Sequence, residues 1–406
     1  MQERKQKKGL AMNRDEASES VDREDHAAPT RVLIVAASLD ILGGQAVQAA
    51  RLLEELRKEP SLEVSFLPIN PRLPGFLRRL QNIKYVRTVV TSLAYIALLL
   101  SRVWRYDVIH VYSASYLSFV IAPTPAILIA KLYGKKIILN YHSGEAEDHL
   151  ARWRRTAIPT MRLADSIIVP SKYLVDVFAH FGIHTSAVFN TVEINKFRFR
   201  KRSNLRPAFL ANRNLEALYN VRLVLRGFAL IQRRFPEARL TVAGEGSERL
   251  ALEALARELN LRHVEFVGRV PPERMPELYD AADIYLNGSD IDNMPLSILE
   301  AFAAGVPVVT TNAGGIPYIM SDGETGLLVE RGDYEAMAAR AIQLLEDNAL
   351  ATELARAAHE ECRKYSWCTV RDEWLKLYHQ LDARAEKIDD PDHQMLMNER
   401  RVRTRG

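Results

Sequence analysis

Two carboxylates in the second half of the chain have the spacing of a ligand clamp. Asp292 and Glu300 are separated by seven residues, 293–299, in a stretch that leaves a polar turn and enters an apolar helical pattern ending at Gly305. On a helix rising about 1.5 Å per residue, side chains this far apart stand about two turns from each other. One helix could therefore bracket a bipartite ligand. The free amides of its first turn, with the positive end of the dipole, suit a diphosphate, and Glu300 could accept hydrogen bonds from a ribose diol. Asn293, Met294, Leu296 and Ser297 occupy that helix start, and Asp292 faces whatever the diphosphate carries. The plainer reading is an acidic helix cap with a solvated glutamate further along.

Other residues with chemical capacity lie at strand ends. Gly43-Gly44 follows an apolar run at 32–37 and precedes a helix with Ala46, Ala50 and Leu53 on one face. Lacking side chains, these glycines would let backbone amides approach a phosphate or an acceptor, or else form only a helix-entry turn. Gly244-Glu-Gly246 permits a close backbone approach but lacks the full dinucleotide-binding spacing. His142 follows a strand pattern and could hydrogen-bond a hydroxyl. His110 lies inside one and reads as a satisfied core histidine.

These residues need a scaffold, and the apolar runs describe one. Strand-like segments at 32–37, 62–67, 108–111, 137–140 and 167–169 alternate with helical stretches, and the pattern repeats at 208–211, 240–243, 264–267, 284–286, 306–310 and 327–329. Such alternation predicts an α/β protein of two doubly wound, parallel-sheet domains. The boundaries read as an extension over 1–29, a first domain over 30–190, a basic linker over 191–203 and a second domain over 204–365. A helix over 366–382 and a charged tail over 383–406 complete the chain. Ligands of open parallel sheets sit beyond the C-terminal strand ends, so two facing domains predict one interdomain site.

At 406 residues, 48% hydrophobic and 26% charged, the chain can bury two cores. A net charge of +4 is too slight to argue for a nucleic-acid partner. Two cysteines, Cys362 and Cys368, provide neither a disulfide framework nor a zinc pattern and fit a cytoplasmic setting. One local bias stands out: no acidic residue occurs from Val64 to Tyr106, while Arg72, Arg78, Arg79, Lys84, Arg87, Arg102 and Arg105 do. It overlaps an apolar helical pattern at 89–103, which reads either as a core helix with a basic flank or as a peripheral seat on the inner face of an anionic membrane.

The segment from Asp292 through Glu300, the following Ala-Phe-Ala-Ala-Gly-Val-Pro-Val-Val, the Gly314-Gly315 pair and Asp322-Gly-Glu-Thr-Gly-Leu-Leu-Val together resemble the Glu-x7-Glu region of retaining family 4 glycosyltransferases of the GT-B fold. The resemblance covers about 31–381. Asp292 stands where that family has its first glutamate, and Tyr219 stands at its usual lysine position. It implies a nucleotide-sugar donor, UDP-linked, with Arg213 on the diphosphate, Glu300 on the ribose, Asp292 and His142 on the donor sugar, and the segment around Gly268 against the nucleobase. It further implies a sugar or lipid-linked acceptor in polysaccharide or glycolipid synthesis, retention of configuration, and no cofactor. Asp290-Ile-Asp292 has the form of a metal-binding Asp-x-Asp, but its place at a helix start points to metal-independent transfer. A nucleotide-sugar epimerase and a non-catalytic sugar-nucleotide binder stay open as other readings.

Overall fold

The computed structural model describes residues 28–382 apart from 39–43, 74, 76–82, 84–85 and 114. The charged tail, nearly all of the N-terminal extension, Gly43, Arg78, Arg79 and Lys84 therefore lie outside the described residues.

Each half of the chain forms a six-stranded parallel sheet. The first holds β1 (Thr30–Ala36), β2 (Leu62–Pro68), β3 (Val108–Ser113), β4 (Lys136–Tyr141), β5 (Ser166–Val169) and β6 (Ser186–Ala187), in the order β2-β1-β3-β4-β5-β6. The second holds β7 (Ala208–Asn212), β8 (Arg239–Ala243), β9 (Val264–Gly268), β10 (Ile284–Asn287), β11 (Val308–Thr311) and β12 (Leu327–Val329), in the order β12-β11-β10-β7-β8-β9. Their continuous apolar sequences follow from helices covering both faces, which leaves β3 and β10 buried along their whole length. The expected strand at 306–310 begins only at Val308. Pro307 has no N–H for the ladder, and its carbonyl instead accepts from the Tyr285 amide at 2.9 Å. The two-residue β6 has no apolar run to announce it.

After the second sheet the chain returns to the first. Helix Trp367–Leu381 sets Val370, Trp374 and Tyr378, one turn apart, into the cluster of Ile34, Val108 and Ile138. Tyr378 Oη lies 2.6 Å from His110 Nδ1, and Asn140 Nδ2 lies 3.1 Å from His110 Nε2. Both ring nitrogens are thus partnered, and burial lowers the imidazole pKa to about 3.

The basic segment between the sheets is held internally. Arg200, Arg202 and Arg206 converge on the fully buried carboxylate of Asp283, with Arg206 Nε at 2.9 Å, and Arg202 Nη1 also donates to the Ala304 and Gly305 carbonyls at 2.8 and 2.7 Å. Burial alone would raise the Asp283 carboxyl, but hydrogen bonds from Arg206 and Arg200 outweigh it and hold its pKa below the ordinary value. Three arginines on one buried acid anchor the crossover to the strand that leads into the Asp292 segment.

Candidate active site

Strand order decides where the site lies. In the second sheet β7 and β10 are neighbours although their connections run to opposite sides, and the same is true of β1 and β3 in the first. At such a switch point the loops leaving the two strands diverge and open a crevice at the C-terminal edge. Arg213 follows β7 directly, and the segment carrying Asp292 follows β10. In the first domain Gln45 Nε2 donates to the Ser113 carbonyl at 2.9 Å, joining the loops after β1 and β3.

Helix Leu296–Ala303 begins after Pro295, whose carbonyl accepts from the Ile298 amide at 3.2 Å, and the amides of Leu296 and Ser297 before it have no carbonyl of their own helix to bond. Arg213 reaches this start from beneath: Nη2 is 2.8 Å from Asp292 Oδ2 and Nη1 is 3.3 Å from Ser297 Oγ. Tyr219 places its ring 4.0 Å from the Arg213 guanidinium carbon, so an aromatic face steadies the arginine where a lysine would add a second charge. Burial works against the charge on Arg213, but Asp292 and nearby phenols outweigh it and its pKa is raised.

Asp292 lies in the turn before the helix, so the two carboxylates flank the helix start and do not stand two helical turns apart. About one turn into the helix, Glu300 accepts from Tyr279 Oη at 3.2 Å and lies 3.5 Å from Arg51 Nη2. Burial pushes the Glu300 pKa up, while Arg51 and the Tyr279 hydrogen bond pull the other way. Arg51 comes from the first-domain helix Gly44–Leu56, and its Nε also lies 3.2 Å from Glu193 on the crossover. The middle of the segment is fastened too: Ser171 of the first domain donates to Asn293 Oδ1, and the Asn190 amide lies 3.4 Å from Met294 Sδ. Gly314 and Gly315 pass so close below that a Cβ would stand 2.1 Å from the Asp292 carbonyl and 1.9 Å from that of Asn293. Only glycine fits there.

Across the cleft stand Gly44, Ser113 and His142, and together with the helix start they line a cavity of about 520 Å³. His142 is stacked on Tyr112 with ring centroids 5.1 Å apart, and burial lowers its pKa to about 3. It is therefore a neutral imidazole able to donate or accept. Its Nε2 is buried without a partner among the described residues, as is Arg213 Nε. Both residues line the cavity and keep this hydrogen-bonding capacity free.

Arg213, His142, Asp292, Asn293, Met294, Leu296, Ser297, Glu300 and Gly44 thus border one space. Gly268 sits behind the wall instead: it turns the chain at φ +70° and accepts from the Gly244 amide at 2.8 Å, while Arg269 and Val270 reach the cavity. Nothing in the sequence singles out Arg51 or Arg269, since each becomes a cleft cation only when distant segments meet. Gly244 and Gly246 carry weight that their spacing conceals, because a Cβ on either would fall about 2 Å from the Arg213 or Leu215 carbonyl.

Two family models match adjoining halves of the chain: Glycosyltransferase Family 4 over residues 42–195 and Glycosyl transferases group 1 over 193–361. The D-inositol 3-phosphate glycosyltransferase of Corynebacterium urealyticum is 34% identical over 181 residues, 43% of this chain and 43% of that protein. The match thus spans less than half the length of that relative. The glycogen synthase of Mycobacterium tuberculosis is 29% identical over 68% of this chain and 69% of its own. Among solved structures, HepE of Anabaena in complex with UDP-glucose superposes with a TM-score of 0.69 at 17% identity, covering 86% of this chain and 98% of that one, a likeness of fold. With the two models meeting at the crossover between two parallel sheets, the chain belongs to the family 4, group 1 glycosyltransferases of GT-B architecture.

Proposed function

We propose that this glycosyltransferase moves a sugar from a UDP-linked donor to an acceptor hydroxyl with retention of configuration, in the synthesis of a cell-surface polysaccharide or glycolipid. The observation that carries the reading is the helix start at the β7/β10 switch point, with Arg213 beneath its open amides and Glu300 about one turn along. In this reading the diphosphate lies on the amides of Leu296 and Ser297 and on Arg213, the ribose diol on Glu300, and the sugar between Asp292 and His142. Charge growing on the leaving diphosphate meets dipoles and a guanidinium already in place, where such groups stabilise it most. The departing phosphate oxygen takes the acceptor proton, so no side-chain nucleophile is needed, and no metal takes part.

Thermal-shift measurements with UDP, GDP and ADP test the donor. Stabilisation by UDP that disappears in Glu300→Ala supports the reading, and equal stabilisation of both proteins overturns the ribose assignment. Transfer that persists in a chelator supports metal independence. A non-catalytic nucleotide-sugar binder is the second reading, favoured by the Tyr219 ring standing where a second cation would assist departure. Radiolabelled donor incubated with an acceptor panel separates the two, because only an enzyme passes label to product.

A further inference from the structure

Helix Val86–Arg102 and the single turn Val103–Arg105 that extends it are apolar on two separate sides. Tyr95, Leu99 and Val103 enter the core of the first domain. A second stripe, Val86, Val89, Leu93, Leu100 and Trp104, recurs at helical spacing about a third of a turn away and faces outward, with Val89 60%, Leu93 62% and Trp104 53% exposed. Beside it, helix Pro123–Leu132 exposes Leu128 and Leu132, the latter to 75%. The two helices are tied together, as Tyr133 Oη donates to the Leu100 carbonyl at 3.0 Å and Tyr95 Oη to that of Ala122 at 2.9 Å. An apolar surface joined across neighbouring helices is unusual on a soluble domain and marks an interaction site.

Charge identifies the occupant. From Val64 to Gly144 the sequence contains ten basic residues and one acidic residue, Asp107, which is paired with Arg31 at 2.8 Å. Arg87, Arg102 and Arg105 are exposed along the helix, and Arg105 packs its guanidinium over the Trp104 ring at 5.1 Å. A symmetric pairing with a second copy would set this basic flank against itself. The helix is long and apolar enough to cross a bilayer, but its inner side is committed to the core, so it can only lie along one. Tryptophan at an apolar boundary flanked by arginines is the composition of an interfacial helix.

We infer that this flank of the first domain seats the protein on an anionic phospholipid bilayer, with the exposed stripe in the headgroup region and the arginines on lipid phosphates. The surface begins beside the active site: Tyr116 lines a cavity of about 920 Å³ that adjoins the cleft through Gly144 and Glu145, and exposed Leu117 follows it. A lipid-linked acceptor could thus enter from the membrane without the protein leaving it. The inference builds on the acceptor class proposed above but not on the identity of the donor.

Sedimentation of the full chain with vesicles tests it. Vesicles of phosphatidylcholine with phosphatidylglycerol should carry the protein down at low salt, phosphatidylcholine alone should carry far less, and high salt should release it. Leu93→Glu with Trp104→Glu should abolish binding, and Arg102→Glu with Arg105→Glu should weaken it about tenfold or more. Because these positions are exposed, the UDP-induced thermal shift should be unchanged in both variants. Wild-type protein left in the supernatant with phosphatidylglycerol vesicles at low salt overturns the inference, as does undiminished binding by Leu93→Glu with Trp104→Glu. A dimer that Leu93→Glu dissolves, seen by light scattering in a protein that ignores vesicles, overturns it in favour of a second copy. Absence of a UDP shift in the wild-type protein would count against the donor assignment and leave the membrane result standing.

Discussion

The two switch points face each other across the cleft and are built on opposite plans. At β7/β10 the acidic and basic groups of the helix start and its floor are already spoken for: Arg213 with Asp292, Glu300 with Tyr279 and Arg51. On the first-domain side the wall is small and carries less charge, made of Gly44, Ser113 and a neutral His142 with an unpaired nitrogen, with Glu145 also lining it. The second domain holds its charges in place before a ligand arrives, which lowers the reorganisation needed when charge develops. The first domain leaves room and hydrogen-bonding capacity with little charge, as suits a varied sugar or acceptor. Arg51 breaks the division, since it reaches from the first domain to the carboxylate of the second.

That contrast can be attacked at its strongest point first. Arg213→Ala should lower kcat/KM by about a hundredfold to a thousandfold, because it removes a fixed cation from the site of developing charge and leaves Asp292 buried without its partner. Steady-state kinetics that change by less than tenfold would deny the second domain its preorganised charge. His142→Ala should lower kcat by about tenfold while UDP, which lacks the sugar, binds as before by calorimetry. Equal weakening of UDP and UDP-sugar would place the histidine on the nucleotide instead.

A smaller effect should appear with Arg51→Met, and it depends on pH. The ionised form of Glu300 is the one that can accept from a ribose diol, and its pKa is raised by burial against the pull of Arg51. UDP affinity should therefore fall as pH drops through the Glu300 pKa, and the variant should lose affinity at higher pH than wild type, by about tenfold for each unit of displacement. Unfolding does not mimic this. A carboxyl raised in the folded state contributes stability below its unfolded pKa and loses it as pH rises through the folded one, so acidification favours the fold at this residue. Binding curves that coincide at all pH values would show that Arg51 only braces the crossover. Tyr219→Lys should have the smallest effect, within about threefold in either direction, because a gained cation is offset by the lost ring beneath Arg213.

The sheets were readable because parallel strands covered on both faces need unbroken apolar runs, and eleven of the twelve strands carry one. Two-residue β6, paired with β5, has no such signature. The turn and helix from Asp292 to Glu300 were readable because their chemistry is local: a polar turn, a helix start and a carboxylate about one turn on need no distant partner to be recognised. The basic crossover was open to misreading, since its arginines look like a ligand site until Asp283 is seen among them.

The amino-acid order alone thus determined two parallel-sheet domains, the turn at Asp292 with the helix start after it, and the basic, acid-poor stretch of the first half. Tertiary structure alone decided that Asp292 and Arg213 are partners, that Arg51 stands on Glu300, that Gly268 turns behind the wall, and that the outer side of helix Val86–Arg102 is left uncovered. The reason is physical. Periodicity and turn chemistry act over a few residues, whereas ion pairing, burial and the exposure of a second apolar stripe depend on which distant segments fill the space beside them.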